Sequence, residues 1–223
     1  LFSTMTWAVQ ANIYAVIAVP AILFLAYLLA TARLYRAIDD RGEGFAPLVV
    51  AALAFPVMGL FQPGRIDHHG LQVVLFVLAA SAVVGKPGMT NGGLFGACLA
   101  LSLATGLEMA PFFAVLAAGA TLLWISNGSE ERMRMIAAGL TLAGLAVASG
   151  LLLIPAKAPA GLCDSLNMPL VYAIAAAGGG LAFLGLCSGV MSSMVRTLLA
   201  LVLAGGVGFA AWTLAPQCLA DPY

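Results

Sequence analysis

The stretch that decides the fold is AVIAVPAILFLAYLLA, residues 15–30, an apolar run without a charged side chain. Its residues do not alternate between apolar and polar, as they would in a strand of a membrane barrel. Because a backbone in lipid must satisfy its own N–H and C=O groups, the run predicts a membrane-spanning helix. The rest of the chain is similar: 63% of its 223 residues are hydrophobic and 8% are charged, against about 25% charged in soluble proteins.

Outward from this run, further apolar segments predict about eight spans, since a bilayer requires roughly 20 apolar residues per helix. The predicted spans are residues 8–31, 46–62, 70–85, 92–107, 110–126, 135–154, 169–188 and 197–215. The predicted fold class is therefore all-α, a polytopic transmembrane bundle forming a single domain over residues 1–223. Glycine and alanine are frequent within residues 92–106 and 173–185, where we expect them to let helices approach closely.

Basic residues indicate the orientation of the bundle. Seven of the nine fall in alternate loops and are expected to be cytoplasmic: Arg33, Arg36, Arg41, Lys86, Arg132, Arg134 and Arg196. Residues 62–69, 106–109, 155–168 and 216–223 then share the outer side. We expect an integral protein of a bacterial inner membrane, with these loops facing the periplasm. Its lipid is one partner, and the net charge of zero does not favour nucleic acid as another.

The four cysteines divide by position. Cys98 and Cys187 lie within predicted spans and are interpreted as packing residues. Cys163 and Cys218 both fall in predicted outer loops, where an oxidising compartment permits a disulfide. We expect either a disulfide or a close approach of these two residues.

The polar segment GRIDHHGLQ, residues 64–72, lies between two apolar runs, where ionisable side chains are costly and often functional. In a turn or extended segment, Asp67 and His69 side chains converge, while alternation turns His68 away as an accessory residue. A carboxylate and an imidazole suit a divalent cation such as Mn²⁺, Mg²⁺ or Zn²⁺. Glu108, in ATGLEMAPF (residues 104–112), is a further candidate at the same side.

Structural roles for these residues stay open. Asp67 could cap the following helix or pair with Arg65, and Arg65 could instead hold an anionic phosphate. His68, His69 and Glu108 could be ordinary residues of the headgroup layer.

GRIDHHGLQ, in a loop between two membrane helices, resembles the second acidic motif of the catalytic subunits of oligosaccharyltransferases, which are membrane enzymes of the GT-C fold. That motif reads D-x-D, with D-x-E and D-x-H variants. The resemblance implies that Asp67 and His69 bind the catalytic divalent metal, for which we expect Mn²⁺ or Mg²⁺. From their place at the outer side, we further expect Asp67 and Glu108 to be catalytic. It also implies a polyprenyl-phosphate-linked sugar donor, whose phosphate Arg65 would contact.

The match covers about a dozen residues and the general pattern of spans. The family's earlier acidic residue, later glutamate and W-W-D-Y-G signature have no counterpart here. The expectation is therefore that residues 1–223 are the middle section of a longer glycosyltransferase with an unassigned acceptor. The alternative is a transporter or subunit of a membrane complex with an outer-face Asp/His ion site.

Overall fold

The computed structural model describes residues 2–39, 45–154 and 166–214, and almost all of them are helical. Nine α-helices and no strand are found among these residues. The helices are α1 (Phe2–Ile38), α2 (Ala46–Leu53), α3 (Phe55–Met58), α4 (His68–Val84), α5 (Met89–Thr105), α6 (Ala110–Asn127), α7 (Arg132–Leu153), α8 (Met168–Cys187) and α9 (Ser193–Leu214). The predicted helical bundle is confirmed.

Four stretches of the described chain are long and apolar enough to cross a membrane: Gln10–Ile38, Ala110–Leu153, Met168–Val190 and Ser193–Ala210. The second of these holds both α6 and α7, which a 3-10 turn separates. Two further apolar helices, α4 and α5, have 17 residues each. They rise about 25 Å, slightly less than a bilayer core of about 30 Å. These lengths fit an integral membrane protein. Of the eight predicted spans, the structure supports the presence of several apolar helices of membrane-spanning length, and it does not establish the number eight.

The predicted span 46–62 is not one helix. The eight-residue α2 ends at Leu53, Ala54 is extended, and α3 leads into a 3-10 turn that ends at Phe61. Pro56 accounts for the break, because a proline inside a helix has no N–H to donate and its ring meets the carbonyl four residues earlier. With a rise of about 12 Å, α2 is too short to cross the bilayer.

The helix α4 lies among several neighbours and packs against α1, α5 and α6. Its core residues Val74, Leu75 and Ala79 are buried among these neighbours. On the far side of α5 lie α7 and then α8, and α9 packs against α8. Large apolar side chains cover the outside of the bundle, as contact with lipid requires.

Glycines let neighbouring helices come into backbone contact. A Cβ on Gly96 of α5 would clash with the carbonyl oxygen of Ala138 in α7. One on Gly139 of α7 would clash with the carbonyl oxygen of Gly178 in α8. The predicted role of glycine in close helix packing is confirmed at these positions.

Hydrogen bonds and turn contacts bring together the ends of α1, α4, α6, α7 and α8 at one end of the bundle. Arg33 Nε of α1 donates to Ser81 Oγ of α4 at 3.0 Å, and Arg134 Nη1 of α7 donates to the carbonyl oxygen of Val83 at 2.7 Å. The turn after α6 packs against the turn after α8. We call this the basic end, which carries Arg33, Arg36, Lys86, Arg132, Arg134 and Arg196.

The opposite end holds residues 62–69 and 106–109, and we call it the histidine end. Gln72 Nε2 in α4 donates to the carbonyl oxygen of Gly106, after α5, at 3.2 Å. The predicted grouping of loops is thus confirmed for those that the structure describes. Cys98 is buried and Cys187 is half-buried, as packing residues would be, whereas Arg41, Cys163 and Cys218 lie outside the described residues.

Candidate metal centre

Asp67 caps the N-terminus of α4. Its backbone is extended, and its Oδ1 accepts a hydrogen bond of 3.1 Å from the backbone N–H of His69. An N-terminal cap of this kind contributes about 1 kcal/mol to stability, because it satisfies an N–H that the helix leaves unpaired. The helix therefore begins at His68, so the two histidines occupy its first turn.

Arg65 engages the other oxygen of the same carboxylate. The distance from Arg65 Nε to Asp67 Oδ2 is 2.6 Å, and Arg65 Nη1 also donates to the carbonyl oxygen of Gly59 at 3.3 Å. The guanidinium, followed by the His69 N–H, lowers the pKa of Asp67. Both structural roles weighed for Asp67, a helix cap and a partner for Arg65, are thus present together.

His68 reaches across to Glu108 in the turn between α5 and α6. The distance from His68 Nε2 to Glu108 Oε1 is 3.1 Å. The backbone N–H of Glu108 itself, then His68 and Gln72, lower the pKa of the Glu108 carboxyl against the opposing effect of burial. Glu108 is therefore a carboxylate at neutral pH, placed beside an imidazole.

The buried side chain of Gln72 forms a hydrogen bond with Glu108. Gln72 lies one helical turn after His68, is 0% exposed, and donates from Nε2 to Glu108 Oε2 at 3.3 Å. Gly106 makes room for this contact, because a Cβ there would clash with Glu108 Oε2 and lie 3.1 Å from Gln72 Nε2. The Oε1 atom of Gln72 is buried without a hydrogen-bond partner.

Three side chains converge where these contacts meet. One ligand atom each from His68, His69 and Glu108 lie within 4.8 Å of one another, and they form the one such group of metal-ligating residues found in the described part of the chain. The rings of His68 and His69 stack, with centroids 4.4 Å apart and planes at 26°. The predicted metal ligands were Asp67 and His69. The group found in the structure contains His69, together with His68 and Glu108, and does not contain Asp67.

The expectation that His68 points away was wrong. It assumed an extended segment, in which neighbouring side chains alternate, but Asp67 starts a helix at this point. Asp67 remains close, since its Oδ1 is 3.5 Å from His69 Nδ1. One oxygen of Asp67 accepts from the His69 N–H and the other from Arg65. Asp67 therefore holds the start of α4, where the two histidines lie, in place.

The arrangement could hold a divalent cation. Ligands about 2.1 Å from a tetrahedral ion lie about 3.4 Å apart, close to the separation of His68 Nε2 and Glu108 Oε1. Two imidazoles and one carboxylate favour Zn²⁺ or Mn²⁺ over Mg²⁺, which prefers oxygen ligands. If these three side chains held such an ion, a fourth coordination position would be left for a substrate oxygen.

The site residues predicted from the sequence do not include Gln72. A polar residue in an otherwise apolar helix does, however, indicate a possible functional position. Its significance depends on a contact with Glu108, 36 positions away, that the local sequence does not show. No protein-family model, curated protein or solved structure matches the chain.

Proposed function

We propose that this chain is part of a GT-C-type membrane glycosyltransferase that uses a polyprenyl-phosphate-linked sugar donor and a divalent metal. The observation that carries the proposal is the convergence of His68, His69 and Glu108 at a loop end of a membrane-type helical bundle, with Arg65 beside them. A phosphate ester tethered to lipid must be processed at such a boundary, where the reacting group is wet and the tail is not.

The ligand set supports a metal that binds phosphate. His69 is common to the pair implied by the D-x-H resemblance and to the group defined by geometry. Glu108 adds a negative charge, so the cation would be held by one carboxylate and two neutral imidazoles. When bound, the metal supplies Lewis-acid stabilisation of the charge that develops on the leaving phosphate.

The other residues have supporting roles in this proposal. The exposed guanidinium of Arg65 has N–H donors beyond those that it gives to Asp67 and to the carbonyl of Gly59, and these suit a phosphate oxygen. Asp67 holds that guanidinium and the start of α4 in place. Gln72 fixes the carboxylate of Glu108 from the buried side.

The reaction in this proposal displaces the phosphate from the anomeric carbon of the sugar. A nucleophilic atom of the acceptor forms the new bond to that carbon and gives up its proton to water. The carbon–oxygen bond to the phosphate breaks, and the phosphate oxygen keeps the electron pair. Arg65 and the bound cation would stabilise this negative charge. The excess of basic residues at the other end of the bundle supports a location in a bacterial inner membrane with the site facing the periplasm.

The direct test is donor turnover. The membrane-embedded protein that contains this chain is incubated with a polyprenyl-phosphate-linked hexose and Mn²⁺ or Zn²⁺, and the released polyprenyl phosphate is measured. We expect the protein to release polyprenyl phosphate, and a chelator should abolish this release. His69→Ala and Glu108→Gln should each reduce the rate of release by about 100-fold. Release that is unchanged by the chelator and by both variants would refute the proposal. Ion uptake into sealed vesicles without donor cleavage would favour a transporter.

A further inference from the structure

The basic end of the bundle contains a cavity of about 550 Å³ between α1, α4 and the start of α5. The polar side chains that line it are Arg33, Arg36, Ser81, Lys86 and Asn91. Three of them are cationic, and no carboxylate is among the described residues of the lining. It lies at the opposite end of α4 from the candidate metal centre, so it is a separate site.

The guanidinium of Arg33 is held in position before any ligand arrives. Its Nε donates to Ser81 Oγ at 3.0 Å and its Nη2 to Asn91 Oδ1 at 2.5 Å. Ser81 is buried, and Asn91 is fixed in turn by donating from Nδ2 to the carbonyl oxygen of Lys86 at 2.8 Å. A fixed guanidinium loses little conformational entropy when it binds an anion.

The other two cations of the lining are Arg36 and Lys86. Within the described residues, neither Arg36 nor Lys86 forms an ion pair. Asp39, which directly follows α1, accepts a hydrogen bond from Tyr35 and is not part of the lining. The cavity therefore concentrates positive charge that an external anion would neutralise.

One face of α1 connects this charge to an apolar surface. Ile22, Leu25 and Leu29 are 64%, 57% and 63% exposed, and they are spaced three and four residues apart. The same spacing continues to Arg33 and Arg36, so the apolar row leads directly into the cationic cavity. An anion that carries acyl chains would match both parts of this face.

We propose that this cavity binds the phosphate headgroup of an anionic phospholipid, whose acyl chains lie along the Ile22–Leu29 face of α1. The guanidinium of Arg33 forms the fixed contact to the phosphate, while Arg36 and Lys86 line the same cavity and supply two further positive charges. The volume exceeds that of a phosphate alone and accommodates a headgroup. The site anchors α1 to α4 and α5 through the lipid.

The test uses the full chain in bilayer nanodiscs of phosphatidylcholine with and without phosphatidylglycerol. Bound lipids are identified by native mass spectrometry after release from the nanodisc. We expect retained phosphatidylglycerol, with apparent affinity about fivefold lower for Arg36→Gln or Lys86→Gln, and about tenfold or more lower for both together. Arg36→Lys, which keeps the charge, should retain most of the affinity.

Arg132→Gln is the matched control, because Arg132 is an exposed basic residue of the same end outside the cavity. If it reduces lipid retention as much as Arg36→Gln does, attraction to the surface charge alone explains the binding and the proposal fails. Inorganic phosphate is added in a second arm in neutral detergent. If it stabilises the protein against heat as strongly as phosphatidylglycerol, and Lys86→Gln removes that effect, the ligand is soluble phosphate and the lipid assignment is overturned.

Discussion

The backbone N–H of Gly64 donates a hydrogen bond to the carbonyl oxygen of Val16, across an N–O distance of 3.1 Å. Val16 lies within α1, four residues before Pro20. Because proline has no N–H, the carbonyl of Val16 lacks its usual partner in the helix. Gly64 supplies the missing donor, and this contact joins the loop before α4 to α1.

Pro20→Ala should loosen this loop. Alanine restores an N–H that competes for the carbonyl of Val16, so we expect faster hydrogen exchange of the Gly64 amide. Alanine is the better helix former, but Pro20 is fully buried and the smaller side chain leaves a cavity, so we expect little net change in stability. Hydrogen exchange of the Gly64 amide and the thermal midpoint measure the two effects. An unchanged exchange rate at Gly64 would show that the contact is not maintained in solution.

Glu108→Gln and Asp67→Asn should separate the two ligand sets that share His69. Glutamine keeps the contacts to His68 and Gln72 but removes the charge, and we expect a loss of about 100-fold in Mn²⁺ or Zn²⁺ affinity. Asparagine at position 67 still caps α4, and we expect a loss of about tenfold, as for residues that orient ligands. Isothermal titration of the metal alone measures both. The reverse order would assign the carboxylate ligand to Asp67.

Gly106→Ala should displace Glu108. The added methyl group occupies the place of Glu108 Oε2, so metal affinity should fall and the free energy of unfolding should drop by about 1–3 kcal/mol. Gly88→Ala is the control, because Gly88 is also an extended glycine at an end of α5 and its Cβ would meet open space. Equal effects of the two substitutions on metal affinity would contradict the role given to Gly106.

Asp67 should make part of the stability of the protein pH-dependent. Arg65 lowers the pKa of Asp67 in the folded state, so the charged carboxylate stabilises the fold above its ordinary pKa of about 3.9. This contribution disappears as the pH falls through the lowered value. Thermal unfolding in detergent between neutral pH and about pH 3 should therefore show a smaller acid loss for Asp67→Asn than for the parent protein.

Asp67→Ala provides the complementary measurement at neutral pH. It removes the helix cap as well as the charge, and it should cost about 1 kcal/mol more than Asp67→Asn. If alanine and asparagine are equally stable at neutral pH, the capping contact to His69 contributes nothing.

Gly139→Ala should destabilise the contact between α7 and α8. Its Cβ would clash with the carbonyl oxygen of Gly178, and the resulting separation of the helices should cost about 1–3 kcal/mol. Gly144→Ala is matched on the same helix, but its Cβ meets open space, and it should be neutral or stabilising by about 0.5–1 kcal/mol. Unfolding in a mixed-detergent titration compares them. Equal stability of the two variants would exclude a close backbone contact at Gly139.

The sequence by itself determined the helical membrane class of the protein and singled out most polar residues of the candidate site. A bilayer imposes a length and an apolar composition on each span, and both are local properties that can be read without a structure. The spacing of basic residues likewise predicted which described loops share an end, because each span reverses the direction of the chain. Asp67, His69 and Glu108 stood out because charge is costly in an apolar chain.

Only the tertiary structure decided how these residues meet. Asp67 begins a helix and does not continue an extended segment, and this local choice turns His68 toward Glu108. The contact between Gln72 and Glu108 depends on how α4 and α5 pack, and the contact between Gly64 and Val16 depends on α1. Such contacts join residues 36 and 48 positions apart, so no local pattern specifies them, and the packing of the helices fixes the geometry of the site.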